Sequence, residues 1–275
     1  MNFKKTLAVL LMGSSFLATT FASASATVPL LSVDSTDISL EGYHYHYDET
    51  VNSSQFMKSS GKMFGLNGGI NGKLFNPAWI GRFEGRLFAG HKINYRSNGS
   101  GESESHYSGL ETRGLAYYLL NDNGSWLPSV YTGLGYRFLY DHGQGAISTT
   151  GASSYDRHSN YLYLPIGFHI EREIYASSRL AFHIEYAQLL WGMQRSMIYE
   201  ITIENKQRRG YGLRTGADWL VPLKHFDLLT GIFGRYWKIA DSKTAEVSWS
   251  NGTIDKFREP QNKTHEIGFR IGARF

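Results

Sequence analysis

The chain has 275 residues, no cysteine, 30 glycines, 16 Phe, 6 Trp and 18 Tyr, with 28 Lys+Arg against 24 Asp+Glu. That composition excludes a disordered chain and a disulfide-stapled miniprotein, and a glycine share above the usual ~7% with so many aromatics suits a close-packed sheet rather than a helical bundle. It also offers no basic tract of the kind that tracks nucleic acid; Lys206, Arg208 and Arg209 read as one solvated loop.

In chain order, Lys4 and Lys5 precede an apolar run from Leu7 to Leu17, followed by small residues ending Ala22-Ser23-Ala24-Ser25-Ala26. This pattern predicts a secretory signal peptide over residues 1–26, cleaved after Ala26, because the run is short of the ~20 residues a helical span needs. Two lysines leave with it, so the mature domain, residues 27–275, carries 26 Lys+Arg against 24 Asp+Glu.

The mature chain alternates apolar and polar residues at period two, the spacing of a strand with two unlike faces. Long polar connections are predicted over Asp48–Ser60, Arg96–His106, Asp141–His158, Met193–Arg209 and Ala240–Asn262. Short turns are predicted near Phe75-Asn76-Pro77-Ala78, Asn121-Asp122-Asn123-Gly124, Arg172–Ser178 and Pro222-Leu223-Lys224-His225. Long and short connections alternating in this way predict an all-β fold: a transmembrane up-and-down antiparallel β-barrel of ten strands, or eight if one long connection is miscounted.

Facing follows from parity. Val130, Thr132, Leu134, Tyr136, Phe138 and Tyr140 share one face, as do Leu162, Leu164, Ile166, Phe168 and Ile170, then Leu180, Phe182, Ile184 and Tyr186, then Phe226, Leu228, Thr230 and Ile232. Charges and glycines occupy the other face, which inverts a soluble barrel and predicts lipid outside and a polar lumen inside. Tyr43, Tyr45, Tyr47, Trp79, Tyr95, Tyr107, Trp126, Tyr140, Trp191, Tyr211 and Trp219 fall near predicted strand ends and are expected at the membrane interfaces, with His44 and His46 beside them.

The last strand places Ile267, Phe269, Ile271 and Phe275 on one face. It resembles the β-signal of Gram-negative outer-membrane barrel proteins, with Ala273 departing from the larger residue usual there. That resemblance implies an outer-membrane location reached through the periplasm. It implies Phe269, Ile271 and Phe275 as an assembly signal read by the barrel-assembly machinery, and outer-membrane lipid or lipopolysaccharide as surroundings.

The same parity sends Lys73, Arg82, Arg86, Arg113, Arg137, Arg214, Arg235, Arg270 and Arg274 into the lumen with Asp37, Glu41, Glu84, Glu111, Glu171, Glu185, Asp218, Asp227 and Glu266. Near-balanced charge in a lumen that side chains can fill predicts a salt-bridged plug rather than a wide pore. His169, Glu171, His183 and Glu185 are expected inside on adjacent strands, as a hydrogen-bond cluster in preference to a metal site. No cofactor is expected.

The omptins, outer-membrane proteases, are similar in strand number and use paired aspartates with an Asp-His dyad near the extracellular strand ends. Here Asp141-His142 and Asp156-x-His158 flank one long connection without paired aspartates opposite, so Asp156 and His158 are catalytic candidates only. His158-Ser159-Asn160 is loosely similar to the His and Ser of outer-membrane lipid A deacylases, at a different spacing. The sequence therefore predicts a structural, surface-binding or narrow transport barrel that meets an extracellular ligand through its loops, with an outer-membrane hydrolase as the alternative.

Overall fold

The computed structural model describes residues 32–74, 76–120, 126–198, 201–248 and 253–275. The expected signal peptide, residues 1–26, and the turn at Asn121-Asp122-Asn123-Gly124 lie outside them.

Strands run β1 (Ser32–Val51), β2 (Ser54–Lys73), β3 (Trp79–Ser97), β4 (Gly101–Leu119), β5 (Trp126–His142), β6 (Asp156–Glu173) and β7 (Arg179–Ile198). They continue with β8 (Ile201–Gln207), β9 (Gly210–Pro222), β10 (Asp227–Ile239), β11 (Ala245–Ser248), β12 (Ile254–Phe257) and β13 (Gln261–Arg274). Ten of them, β1 to β7 with β9, β10 and β13, form a ring of antiparallel neighbours, since β13 pairs with both β10 and β1 and β6 pairs with β7. Closure leaves no unpaired edge inside the bilayer. The ten-stranded count therefore holds over the eight-stranded alternative; β8 hairpins onto the upper part of β7, and β11 and β12 form a small separate ladder.

The expected long loops are corrected by the structure. Most of Asp48–Ser60 and Arg96–His106 is paired strand: β1 turns into β2 through Asn52 and Ser53 alone, at φ 49° and 64°, the left-handed pair that a tight hairpin turn requires. Much of Met193–Arg209 is likewise the β7–β8 hairpin. A 20-residue strand rises about 50 Å at ~3.3 Å per residue and ~40° tilt, twice the ~25 Å apolar band. The upper half of the wall thus meets water outside the membrane. Its sequence loses the apolar face while its backbone keeps pairing, which is why periodicity alone reads it as loop.

Around the lower half, Leu40, Phe64, Leu87, Leu134, Ile166, Ile184, Ile232 and Phe269 project outward and exposed, a continuous apolar girdle. Both termini of the wall meet at one end, where Thr36 and Phe275 exchange backbone hydrogen bonds of 3.0 and 2.8 Å; this is the periplasmic end of such a barrel. Trp126, Trp191 and Trp219 are exposed outside. Tyr43, Tyr45, Tyr47 and Tyr107 are not at the interface: all four are buried in one cluster inside the barrel. Tyr43, Tyr45 and Tyr47 share the parity of Glu41 on β1, and on that stretch their neighbours His44 and His46 face outward.

Candidate functional site: the barrier across the lumen and the wall above the girdle

Interior side chains stack in levels, because strands pitched by the barrel's stagger bring residues distant in sequence to one height. At mid-height the charged face converges into a buried septum. Glu266 Oε2 accepts from Arg86 at 2.9 Å and from Arg235 at 3.2 Å, and its other oxygen accepts from Arg137 at 2.8 Å. Glu41 accepts from Arg86 at 3.0 Å and from Arg235 at 2.5 Å. Across the lumen Arg214 pairs with Glu111 and lies 3.3 Å from Glu185, which also pairs with Arg113. No member of this septum exposes more than 11% of its side chain, so the charges are offset by one another rather than by water.

Two tyrosines lock the septum to the wall. Tyr131 donates to Glu185 at 2.9 Å and Tyr163 to Glu111 at 2.6 Å. Each ring lies across a glycine on the neighbouring strand, Tyr163 over Gly135 and Tyr131 over Gly167, in the space a β-carbon would fill. Above it, Tyr43, Tyr45, Phe88, Met63 and Ile93 pack together, with Tyr163 and Trp237 in a second buried cluster.

Above the aromatics, Arg157 donates to Glu49 at 2.7 Å and to Glu259 at 3.2 Å, with Tyr47 donating to Glu49 at 2.8 Å. Glu259 belongs to the segment before β13, which this contact latches into the mouth; its backbone N–H donates to Ser242 Oγ at 2.9 Å and its carbonyl accepts from Ser242 N–H at 3.0 Å. Burial raises the Glu259 carboxyl; Arg157 opposes the shift and Glu49 adds to it, leaving it at about 8. A raised acid contributes stability that is full below its ordinary ~4.3 and is lost as pH climbs through the folded value. The latch is therefore expected to loosen progressively between about pH 4 and 8. Hydrogen-exchange protection factors at Ser242 and Glu259, corrected for intrinsic rates, should fall over that range and stay level in Glu259→Gln; a level profile in the unsubstituted chain would contradict the latch.

Below the septum lies a cavity of about 350 Å³ lined by Asp37, Arg82, His169, Glu171, His183 and Arg270 among others. Arg82 bonds Asp37 at 2.6 Å and Glu84 at 2.6 Å, Arg270 bonds Asp218 at 2.6 Å, and Arg274 lies 3.5 Å from Glu171. His169 and His183 are cross-strand partners. The predicted quartet nevertheless divides: Glu185 joins the septum and Glu171 bonds Arg179 at 2.8 Å at the rim. Among the described residues no group of three or more His, Asp or Glu is arranged to hold a metal ion.

Asp141 and His142, consecutive on a strand, point to opposite faces: Asp141 pairs with Ser105 on the lumen side, and His142 stacks on outward Tyr140. Asp156 and His158 also face outward, above the girdle, joined through Tyr140, whose hydroxyl donates to Asp156 at 2.5 Å and whose ring meets that of His158 edge-on at 4.2 Å. They do not address the lumen. Sequence reading missed Glu49, Arg157 and Glu259, which it placed in loops, and Tyr131 and Tyr163, whose lumen parity was legible.

No protein-family profile matches the chain, and no curated protein is similar to it in sequence. Among solved structures it is similar to the outer-membrane protease OmpT of Escherichia coli, at TM-score 0.60 and 12% identity, over 92% of this chain and 99% of that one. It is less similar to the transport unit of the autotransporter AIDA-I of Escherichia coli, at TM-score 0.47 and 9% identity, over 98% and 97%. A third structure is OprG of Pseudomonas aeruginosa, at TM-score 0.37 and 13% identity, over 87% and 95%. At such identities the likeness is one of fold. Closed ring, apolar girdle and polar interior together make this chain a ten-stranded transmembrane β-barrel of the kind that resides in the Gram-negative outer membrane.

Proposed function

We propose that this protein is a non-conducting barrel that acts from its extracellular side, presenting the tall strand extensions above the girdle as a surface for an extracellular ligand. The observation that carries this reading is the septum: the Glu41, Glu111, Glu185 and Glu266 carboxylates are each held by two or three arginines with almost no exposed surface. An ion crossing it would have to separate buried charges from their partners, at several kcal/mol per group. The aromatic level and the Glu259 latch lie in series with it. Rigid paired extensions suit presentation, since a scaffold that does not move loses little entropy on binding.

Transport through the lumen is the reading this disfavours. The refolded mature chain, residues 27–275, inserted in a planar bilayer, is expected to show no discrete openings at neutral pH and moderate voltage. Stable single-channel steps from the unsubstituted chain would overturn the reading. For assembly, we propose that the exposed apolar face of β13, with Phe269, Ile271 and Phe275, is the segment read by the barrel-assembly machinery.

A further inference from the structure

The outer wall above the girdle carries a contact that the proposed binding role does not use. Ser108 on β4 and His142 on β5 lie diagonally across the ladder, with Ser108 Oγ 2.8 Å from His142 Nε2. Both are half-buried and face outward, and the imidazole is fixed from behind by the Tyr140 ring, 3.6 Å between centroids. Tyr140 is in turn held by Asp156, which also accepts from the backbone N–H of Gln144 at 2.8 Å.

We propose that Ser108 and His142 form a hydrolytic dyad on the outside of the barrel, acting on the acyl esters of outer-leaflet lipids. A hydroxyl within hydrogen-bond reach of an imidazole nitrogen, with the imidazole held by a third group, is the arrangement that makes serine a nucleophile. Depth selects the substrate. Across β3 to β5, Leu87, Leu110 and Phe138 form the last apolar row of the girdle, and Ala89, Ser108 and Tyr140 form the next row up. A lipid lying along the girdle places its ester carbonyl where hydrocarbon gives way to polar surface, which is the row of Ser108. The small, exposed Ala89 leaves the approach from the bilayer open. A water-soluble peptide would have no reason to enter at that level.

In the reaction Ser108 Oγ attacks the ester carbonyl carbon while His142 Nε2 takes its proton. The tetrahedral adduct collapses by breaking the bond from the carbonyl carbon to the alcohol oxygen, and the imidazolium returns the proton to that leaving alkoxide. Water, deprotonated by the same nitrogen, then attacks the acyl-serine. Cleavage of the Oγ–acyl bond reprotonates Ser108 and releases the fatty acid, so one ester and one water give one acid and one alcohol. Tyr140 acts as a positioning residue through His142.

The test uses the full mature chain, folded as judged by heat-modifiable mobility, with two substrates assayed separately at pH 7.5: diacyl phosphatidylethanolamine vesicles and hexaacyl lipid A micelles. Fatty-acid release from at least one is expected, and which one identifies the lipid. Ser108→Ala and His142→Ala should each lower it at least about 100-fold, while Ser105→Ala, on the lumen side, should not. Tyr140→Leu should lower kcat with KM unchanged, and Tyr140→Phe, which keeps the ring against the imidazole, should restore it. No release from either lipid, or release that survives Ser108→Ala, would overturn the dyad. Neither result bears on whether the lumen conducts, so the two proposals fail separately.

Discussion

Glu266→Ala is expected to destabilise the barrel by about 3–5 kcal/mol, the usual cost of removing one member of a buried charge cluster. Glu266 is 1% exposed and accepts from Arg86, Arg137 and Arg235. Its loss strands three guanidinium groups around a void, with Glu41 left to offset two of them. Glu266→Gln should fall between, since the amide keeps one acceptor but turns a donor toward arginine. The exposed pair Lys256–Glu246, at 3.3 Å with both side chains 60% or more exposed, sets the contrast: Glu246→Ala should cost under about 1 kcal/mol. Urea unfolding followed by heat-modifiable mobility in one lipid mixture would rank the variants, and equal midpoints for Glu266→Ala and Glu246→Ala would mean that the septum is not coupled to folding.

Gly135→Val should be comparably disruptive through packing. A β-carbon at Gly135 would overlap the ring of Tyr163, and overpacking of this kind costs about 1–3 kcal/mol. Displacing Tyr163 also breaks its 2.6 Å bond to Glu111 and its 3.1 Å contact with Arg214, which adds unpaired polar groups to the strain. If the ring is the source, Tyr163→Ala should make Gly135→Val nearly neutral, whereas independent effects would add. The double-mutant cycle therefore distinguishes a glycine that houses a tyrosine from one that merely bends a strand.

Much of this molecule is written in its alternation. A strand with lipid on one side and a closed lumen on the other repeats at two residues, so Leu134, Ile166, Ile184 and Ile232 declared the girdle, and Arg86, Glu111, Arg214 and Glu266 declared the interior. Parity is hard to read above the membrane, where the outer face meets water instead of lipid and selection for an apolar outer side disappears. There β1 and β2 remain paired up to Asn52 and Ser53, although their composition reads as loop, and Glu49 and Arg157 were hidden with them. Tyr43, Tyr45 and Tyr47 were misplaced because aromatic residues near a strand end suit an interface or a packed lumen equally well; their shared parity with Glu41 was the signal that decided between them.

The sequence by itself determined the class of fold and, on the strands with clear alternation, which side meets lipid, because those depend on local period; it left the count at ten or eight strands, which ring closure settled at ten. Only the tertiary structure decided who meets whom. The segment returning to β13 sets Glu259 onto Arg157, and barrel stagger brings Glu266 to Arg86, 180 positions away. It also lays Ser108 against His142, 34 positions apart. Such pairings depend on register and shear, which are properties of the closed ring and of no single strand.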